Sequence, residues 1–249
     1  MTDSAEKICL VVPCYNEAQR LDCKKFKEWE QDYWLLFVND GSNDNTVEIL
    51  RDNLKKNVYI LDLKKNVGKA EAIRQGMLYL KILPIFEEIS WFGYWDADLA
   101  TPLREIDNFF RYGKALHPEA DAIIGSRIIK LGSNIRRTLK RYFLGRLFAN
   151  IASIALKLDI YDSQCGAKLF KKELIDKCFA EPFISKWIFD VEIILRMQQQ
   201  KIVEYPLKEW EDKTGGHLRI CSVAVQTVID LIRLRRKYLN KDKIIRPVR

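Results

Sequence analysis

Five short apolar runs fill the first half of the chain. A polar loop stops each one, and a stretch of helical spacing follows the first four. The runs are Ile8–Pro13, Trp34–Val38, Val58–Leu63, Trp91–Trp95 and Ala122–Gly125. Runs of this length, rich in β-branched and aromatic residues, predict buried strands. Helices are expected over 16–30, 46–54, from Lys69 to about Lys81, and from Pro102 to about Leu116, with Pro102 in a first turn. Alternation of this kind predicts an α/β chain with a Rossmann-like, mostly parallel central sheet and helices on both faces. Ligands meet such sheets at the carboxyl ends of the strands. The polar loops that fall there are Pro13–Glu17, Asn39–Ser42, Asn66–Lys69, Asp96–Asp98 and Gly125–Arg127. No Gly-x-Gly-x-x-Gly and no Gly-Lys-Ser loop is present, so neither a dinucleotide fold nor a P-loop is supported.

The fourth strand carries the sharpest chemical signal. Trp91-Phe92-Gly93-Tyr94-Trp95 ends abruptly in Asp96-Ala97-Asp98. A buried strand does not bear two acids without compensation. At a strand exit, Asp-x-Asp presents two hard oxygen ligands to one open site. That suits Mg²⁺ or Mn²⁺ held together with a substrate phosphate. A solvated loop is the bland alternative for the pair taken alone.

Composition narrows the class. With 249 residues and 48% hydrophobic content, the chain can bury one large α/β domain or two small ones. Six cysteines form no C-x-x-C pair, and there are two histidines, so a zinc site is not expected. Free thiols fit a reducing cytoplasm. No signal peptide is read at the polar N-terminus, and no run approaches the ~18–20 apolar residues of a membrane span. The net charge of +8 is concentrated near the C-terminus, where Arg233–Arg249 holds eight basic residues against Asp242. A second block, Lys130–Arg146, holds six basic residues and no acid. Such blocks meet anionic lipid, phosphate or nucleic acid, and a solvated face is the plain alternative. No nucleic-acid recognition motif accompanies them, so a nucleic-acid partner is not expected.

Beyond Arg127 the pattern changes. A long amphipathic helix is expected over 139–158, a short segment at Gly166–Phe170, helices at 173–179 and 189–199, a strand at Ile202–Pro206, and a final helix over 220–239. No linker separates these parts. A single domain is expected, with a nucleotide-sugar half to about residue 127, an acceptor half over 128–219, and an amphipathic helix with a basic tail over 220–249.

Taken in order, Val12-Pro13-x-Tyr15-Asn16-Glu17, Asn39-Asp40-Gly41-Ser42, Asn66-x-Gly68-Lys69, Asp96-x-Asp98 and Gly125-Ser126-Arg127 resemble the family-2 glycosyltransferases of GT-A fold. Arg141-x-x-x-Gly145-Arg146, Asp162–Phe170 and Trp187–Glu192 look like the polyprenyl-phosphate branch, which includes dolichyl-phosphate glucosyltransferases and mannose synthases. The resemblance spans residues 8–239. It departs at Asn39, where many members have an acid, at Ala167, where many have an aromatic, and at Gly215-Gly216-His217, where Gly-Ser-Lys is usual.

The resemblance implies that Pro13, Tyr15, Asn16, Glu17, Asp40 and Ser42 hold the base and ribose of a nucleotide sugar. Asp40 can accept from a pyrimidine N–H, and Tyr15 can stack; helix-start packing is the plain alternative for Tyr15 and Glu17. Asp96, Ala97 and Asp98 would form the metal and diphosphate clamp, with Lys69 at a helix start that favours anions. Arg127 and Arg141 are the first candidates for the acceptor phosphate, because guanidinium forks match phosphate oxygens; Arg137 and His217 follow. Asp162 and Gln164 would shape the acceptor site. Asp190 stands where hydroxyl-using relatives carry their catalytic acid. It is the candidate base, although an anionic lipid phosphate needs no strong one.

The leading expectation is therefore an inverting, metal-dependent transfer of a hexose from a nucleoside diphosphate sugar to a polyprenyl phosphate, glucose from a UDP-sugar first and mannose second. Transfer to a hydroxyl of a glycan or other soluble acceptor is the alternative within the family. A non-catalytic nucleotide-sugar binder is the alternative from another class. The final helix carries Val223, Val225, Val228, Ile229, Ile232 and Leu234 ahead of its basic end. That combination suits the anionic surface of a membrane, on its cytoplasmic face; the same residues could equally pack on the core.

Overall fold

The structure, a computed structural model, describes residues 6–29, 33–54, 56–138, 149–213 and 220–239. In chain order its elements are β1 (Ile8–Cys14), α1 (Cys23–Trp29), β2 (Trp34–Asn39), α2 (Thr46–Asn53), β3 (Val58–Asp62), α3 (Lys69–Leu80), β4 (Trp91–Trp95), α4 (Glu105–Leu116), β5 (Ala122–Ser126), β6 (Asn134–Arg136), α5 (149–156), β7 (Ala167–Lys171), α6 (Ile175–Phe179), α7 (Phe189–Arg196), β8 (Ile202–Pro206), β9 (Glu209–Glu211) and α8 (Ile220–Tyr238). They form two compact units. The first comprises Met1–Leu99 with Gly166–Pro182, and the second Ala100–Cys165 with Phe183–Arg249.

In the first unit the strand order is β3-β2-β1-β4-β7. The first four strands run parallel, and β7 pairs antiparallel with β4 in the register Trp91↔Lys171 to Trp95↔Ala167. Every residue of β4 is buried, as are nearly all of β1 and β2, so these strands are covered on both faces. Helix α3 packs on β1 and β2. Phe92, Phe170 and Phe179 form a cluster with ring centroids 5.4–5.9 Å apart, tying β4, β7 and α6 together. Each such fully buried ring stabilises the unit by roughly 2–3 kcal/mol.

In the second unit β5 pairs parallel with β8, and β6 pairs parallel with β9. Tyr205 of β8 meets Phe109 and Tyr112 of α4 at 4.8 and 5.3 Å between ring centroids. All eight residues of α7 are buried, including the ion pair Glu192–Arg196 at 2.9 Å. The Glu192 carboxylate also accepts from Ile184 N–H and from the Tyr238 hydroxyl, which fastens the end of α8 to α7. Thus a buried charge is retained because each of its oxygens has a donor.

The expected elements recur with three changes. Residues 16–22 are not helical, and α1 begins at Cys23. Asn16 adopts a left-handed φ of 53°, and the N–H groups of Asn16, Glu17 and Ala18 donate to Ser42 Oγ, Thr46 Oγ1 and Asp44 Oδ2. The left-handed turn at Asn16 and these tethers to the loop after β2 fix a non-helical path for the segment. The short ladder of β6 and β9 has no counterpart among the sequence expectations, because three residues are too few to show a period. Pro102 precedes α4, its carbonyl accepting Glu105 N–H at 3.0 Å. Of the helix expected over 139–158, 149–156 is helical and 139–148 lies outside the described residues.

Candidate functional site

The strand-end loops of the first unit converge on one cleft of about 420 Å³, a volume typical of small-molecule sites. Pro13, Cys14, Tyr15 and Glu17 reach it from the end of β1, Asp40 from β2, Asn66, Gly68 and Lys69 from the start of α3, and Asp96, Ala97 and Asp98 from β4.

Hydrogen bonds between the loops fix its floor. Asp40 N–H donates to Cys14 C=O at 2.8 Å. The Asp40 side chain turns toward α3, where Oδ1 accepts from Val67 N–H at 2.7 Å and Oδ2 from Gly68 N–H at 2.9 Å. Burial raises its carboxyl above the ordinary value, and these two N–H donors partly offset that. The Asp40 carboxylate thus takes the N–H of Gly68, the cap of α3, and that of Val67 just before it. Gly41, at φ 63°, lets this loop touch the next: a Cβ there would lie 2.4 Å from the Lys65 carbonyl carbon. Asn16 and Ser42 do not line the cleft. They bind each other's loops, with Asn16 N–H donating to Ser42 Oγ and Asn43 N–H to Asn16 Oδ1. Asn39 donates through Nδ2 to Asp62 Oδ1 at 2.7 Å, so an acid at this position would face a second carboxylate.

The two carboxylates that follow β4 sit on a closed turn. Leu99 N–H donates to Asp96 C=O at 3.1 Å, and Leu99 holds the left-handed φ of 52°. For a branched side chain this costs about 1–2 kcal/mol, and it orients the turn that carries Asp98. Asp96 Oδ1 accepts from Lys69 Nζ at 2.5 Å. Its other flank is closed by Gly166, which precedes β7. A Cβ on Gly166 would fall 2.0 Å from Asp96 Oδ2. Both residues lie one step beyond the pair Trp95↔Ala167, so the antiparallel register sets them against each other.

Glu17 completes the acidic side. Burial raises its carboxyl, the charge and hydrogen bond of Arg20 work against that, and Asp98 and Asp44 push it further up. Its Oε1 accepts from Arg20, while its buried Oε2 has no hydrogen-bond donor among the described residues. The donor set fits Mg²⁺ or Mn²⁺: two part-exposed carboxylates supply hard oxygens, and the negative charge gathered around them favours a cation. Among the described residues no group of three His, Cys, Asp or Glu is assembled to hold a metal, so the remaining positions would fall to phosphate oxygens and water. The described cysteines, 9, 14, 23, 165 and 178, are free thiols.

The second unit gathers the expected acceptor-side residues Arg127, Arg137 and Asp162. Arg127 grips Asp162 in a fork, Nε to Oδ2 at 2.6 Å and Nη2 to Oδ1 at 2.7 Å, and its backbone N–H adds a third bond. Burial pushes the Asp162 carboxyl up, but the charge and hydrogen bonds of Arg127, helped by Arg137, hold it down at about 2. The guanidinium groups of Arg127 and Arg137 both lie over the Trp210 ring, at 5.4 and 5.6 Å from its centroid. Burial and the neighbouring Arg127 charge lower the affinity of Arg137 for its proton. Gln164 is half-buried, and Asp190 is buried in the first turn of α7. Arg141 and His217 lie outside the described residues. Sequence reasoning placed Cys14, Asn66 and Gly68 in strand-end loops without naming them as binding residues, and it did not find Gly166 as the support of Asp96, which follows from the antiparallel register of β4 and β7, a tertiary feature.

The sequence model of glycosyl transferase family 2 matches residues 9–179. A dolichyl-phosphate beta-glucosyltransferase of Trichomonas vaginalis is 31% identical over 246 residues, covering 90% of this chain and 69% of that protein. The Dictyostelium discoideum protein of the same name is 30% identical, covering 93% and 75%, and that of Saccharomyces cerevisiae is 28% identical, covering 93% and 75%. Among solved structures, glucosyl-3-phosphoglycerate synthase of Mycobacterium tuberculosis, in complex with Mn²⁺, UDP-glucose and phosphoglyceric acid, superposes with a TM-score of 0.67 at 13% identity, covering 92% of this chain and 79% of that one. At that identity the likeness speaks for the fold alone, and the fold is GT-A.

Proposed function

This chain belongs to glycosyl transferase family 2 and is a glycosyltransferase, and from that premise we propose that it transfers glucose from UDP-glucose to a dolichyl or other polyprenyl phosphate, with inversion at the anomeric carbon. The observation that carries the donor half is the cleft in which Asp96 and Asp98 face the base-side loops of Pro13–Glu17 and Asp40. Relatives named as dolichyl-phosphate beta-glucosyltransferases over about nine-tenths of the chain support the sugar and the acceptor.

In this reading Asp96 and Asp98 hold Mg²⁺ or Mn²⁺. The ion would neutralise charge on the diphosphate and favour departure of the nucleotide. Tyr15, exposed at the cleft, stacks on the base, and Glu17, which lines the same cleft, accepts from a ribose hydroxyl. Asp40 acts as a brace: it fixes the β2 loop to the start of α3 and so sets the depth of the base pocket. Lys69 shares its charge between Asp96 and the diphosphate. Arg127, held by Asp162, lies with Arg137 over the Trp210 ring, a cationic pair suited to a phosphate monoester. The acceptor is already an anion, so Asp190 orients groups and abstracts no proton. A lipid-borne acceptor puts the reaction at a membrane surface, on its cytoplasmic face.

The test offers the purified chain a panel of UDP- and GDP-sugars with Mn²⁺ or Mg²⁺ and a short polyprenyl phosphate in detergent. The expected product is a β-linked glucosyl phosphate formed from UDP-glucose and suppressed by chelation. Absence of product with every donor would overturn the reading. Turnover on hydroxyl acceptors that requires Asp190 would replace it with the glycan-acceptor alternative.

A further inference from the structure

The terminal helix α8 has two differently used faces. Thr227, Asp230, Leu231 and Leu234 are buried. On the opposite side Val225, Val228, Ile229 and Ile232 are exposed at 68%, 54%, 40% and 48%. At 3.6 residues per turn these four fall within an arc of about 100°, a continuous apolar stripe. The sequence left open whether Val223, Val225, Val228, Ile229, Ile232 and Leu234 pack inward; the structure turns Val225, Val228, Ile229 and Ile232 outward and Leu234 inward, and the side chain of Val223 lies outside those described. Arg235 of α8 donates to the carbonyl of Ala155 in the neighbouring helix α5, where Ile151 and Ile154 are likewise exposed, at 46% and 79%.

The charge around the stripe is one-sided. Arg235, Arg236 and Lys237 occupy the last turn of α8 and are exposed, with Arg233 beside them. Lys241, Lys243, Arg246 and Arg249 follow in the sequence. Among the described residues no helix is long and apolar enough to cross a membrane. A soluble surface rarely leaves so much branched aliphatic area in one row.

We propose that the outer face of α8 docks on a bilayer carrying anionic lipid. Val225, Val228, Ile229 and Ile232 would enter the headgroup–acyl boundary, and the basic last turn would meet lipid phosphates. The stripe and the cations supply the two components of interfacial binding, apolar burial and attraction to negative headgroups. A second copy of the chain is a poorer occupant. A parallel two-fold contact through this stripe would bring two clusters of Arg233, Arg235, Arg236 and Lys237 together, and an antiparallel one would still join two chains that carry +8 each with no acid on the stripe to offset the charge. The hold of Tyr238 on Glu192 and of Gln198 Nε2 on Tyr238 C=O keeps the helix end fixed to α7, so docking would anchor the second unit rather than pull the helix away. The inference deepens the lipid-acceptor reading by naming the surface at which that acceptor would be met.

The test uses the full chain and vesicles of phosphatidylcholine with or without about one-third phosphatidylserine, and no donor or polyprenyl phosphate. A failure here therefore leaves the transfer reaction untouched, and the reverse also holds. Binding to the anionic vesicles is expected, weakened by salt. The double variant Val228→Glu/Ile232→Glu should bind at least about ten-fold more weakly. Val228→Ser/Ile232→Ser serves if the first variant fails to fold, and an unchanged melting temperature shows that the helix is intact. Absence of binding to anionic vesicles would overturn the proposal, as would equal binding by the folded variant or equal binding to neutral vesicles. A concentration-dependent dimer abolished by the same substitutions, without vesicle binding, would assign the face to a second copy.

Discussion

Replacing Gly166 by alanine tests the site with a single methyl group. That Cβ would lie 2.0 Å from Asp96 Oδ2, 2.4 Å from its Cγ and 2.6 Å from its Oδ1. Ordinary contact needs about 3.4 Å, so the carboxylate must recede by about 1.4 Å or the start of β7 must move. Gly166 does not occupy the left-handed region, so the effect is steric and aimed at one side chain. A carboxylate displaced by that much leaves its 2.5 Å contact with Lys69 and its place beside Asp98. Misplacement on the order of 1 Å costs about 10²-fold in rate, about 2.7 kcal/mol of barrier. Overpacking would lower global stability by roughly 1–3 kcal/mol, a fall of about 2–12 °C in a chain of this size. The assay is single-turnover transfer of labelled glucose at saturating donor, with Mn²⁺ titrated, beside calorimetric binding of UDP with and without Mn²⁺. The expected result is a loss of about 10²-fold in kcat, a higher Mn²⁺ requirement, and UDP binding that no longer tightens with the ion. A folded Gly166→Ala protein whose rate lies within about three-fold of the parent, with the same Mn²⁺ requirement, would refute the argument that Gly166 positions Asp96 for the ion.

Three further outcomes are expected. Asp98→Asn should lower transfer by at least about 10²-fold while leaving thermal unfolding nearly unchanged, since its side chain is part-exposed; persistence of activity would remove Asp98 from the metal site. Asn39→Asp should destabilise the first unit by roughly 1–3 kcal/mol at neutral pH, because it exchanges the donor to Asp62 for a like charge, and acidification should relieve the loss as one carboxyl takes a proton; denaturant unfolding at two pH values measures it. Asp162, held down to about 2 from an ordinary 3.8, contributes roughly 2 kcal/mol that is complete above its unfolded pKa and disappears as pH falls from about 4 to 2. Arg127→Met should therefore cost about 3–5 kcal/mol at neutral pH, with the gap to the parent closing in acid, as read from unfolding curves between pH 7 and 2.

Much of the donor side was readable without coordinates. The strands ending at Cys14, Asn39, Asp62, Trp95 and Ser126 announce themselves through apolar runs broken by turn residues, and both signals are local. The residues at those breaks include nearly all that line the cleft. The region over 16–22 shows where local reading stops. Its composition suits a helix, but a left-handed Asn16 and tethers to Ser42, Asp44 and Thr46, distant in sequence, fix another path. Likewise Arg127 has the chemistry of a phosphate ligand, and only the fold reveals that Asp162 grips it from 35 positions away.

By itself, the sequence determined the α/β alternation, the chemistry at each strand end and the Asp96/Asp98 pair, because periodicity and residue type are properties of neighbours along the chain. The tertiary structure alone decided which of these groups are braces and which face the cleft. Asp40 bonds α3, Gly166 backs Asp96, and α8 turns Leu231 and Leu234 inward while Val228 and Ile232 meet solvent. Those outcomes depend on strand register and on which helix face finds a partner. Both are settled by contacts between residues far apart in the chain, whose free energy no local pattern encodes.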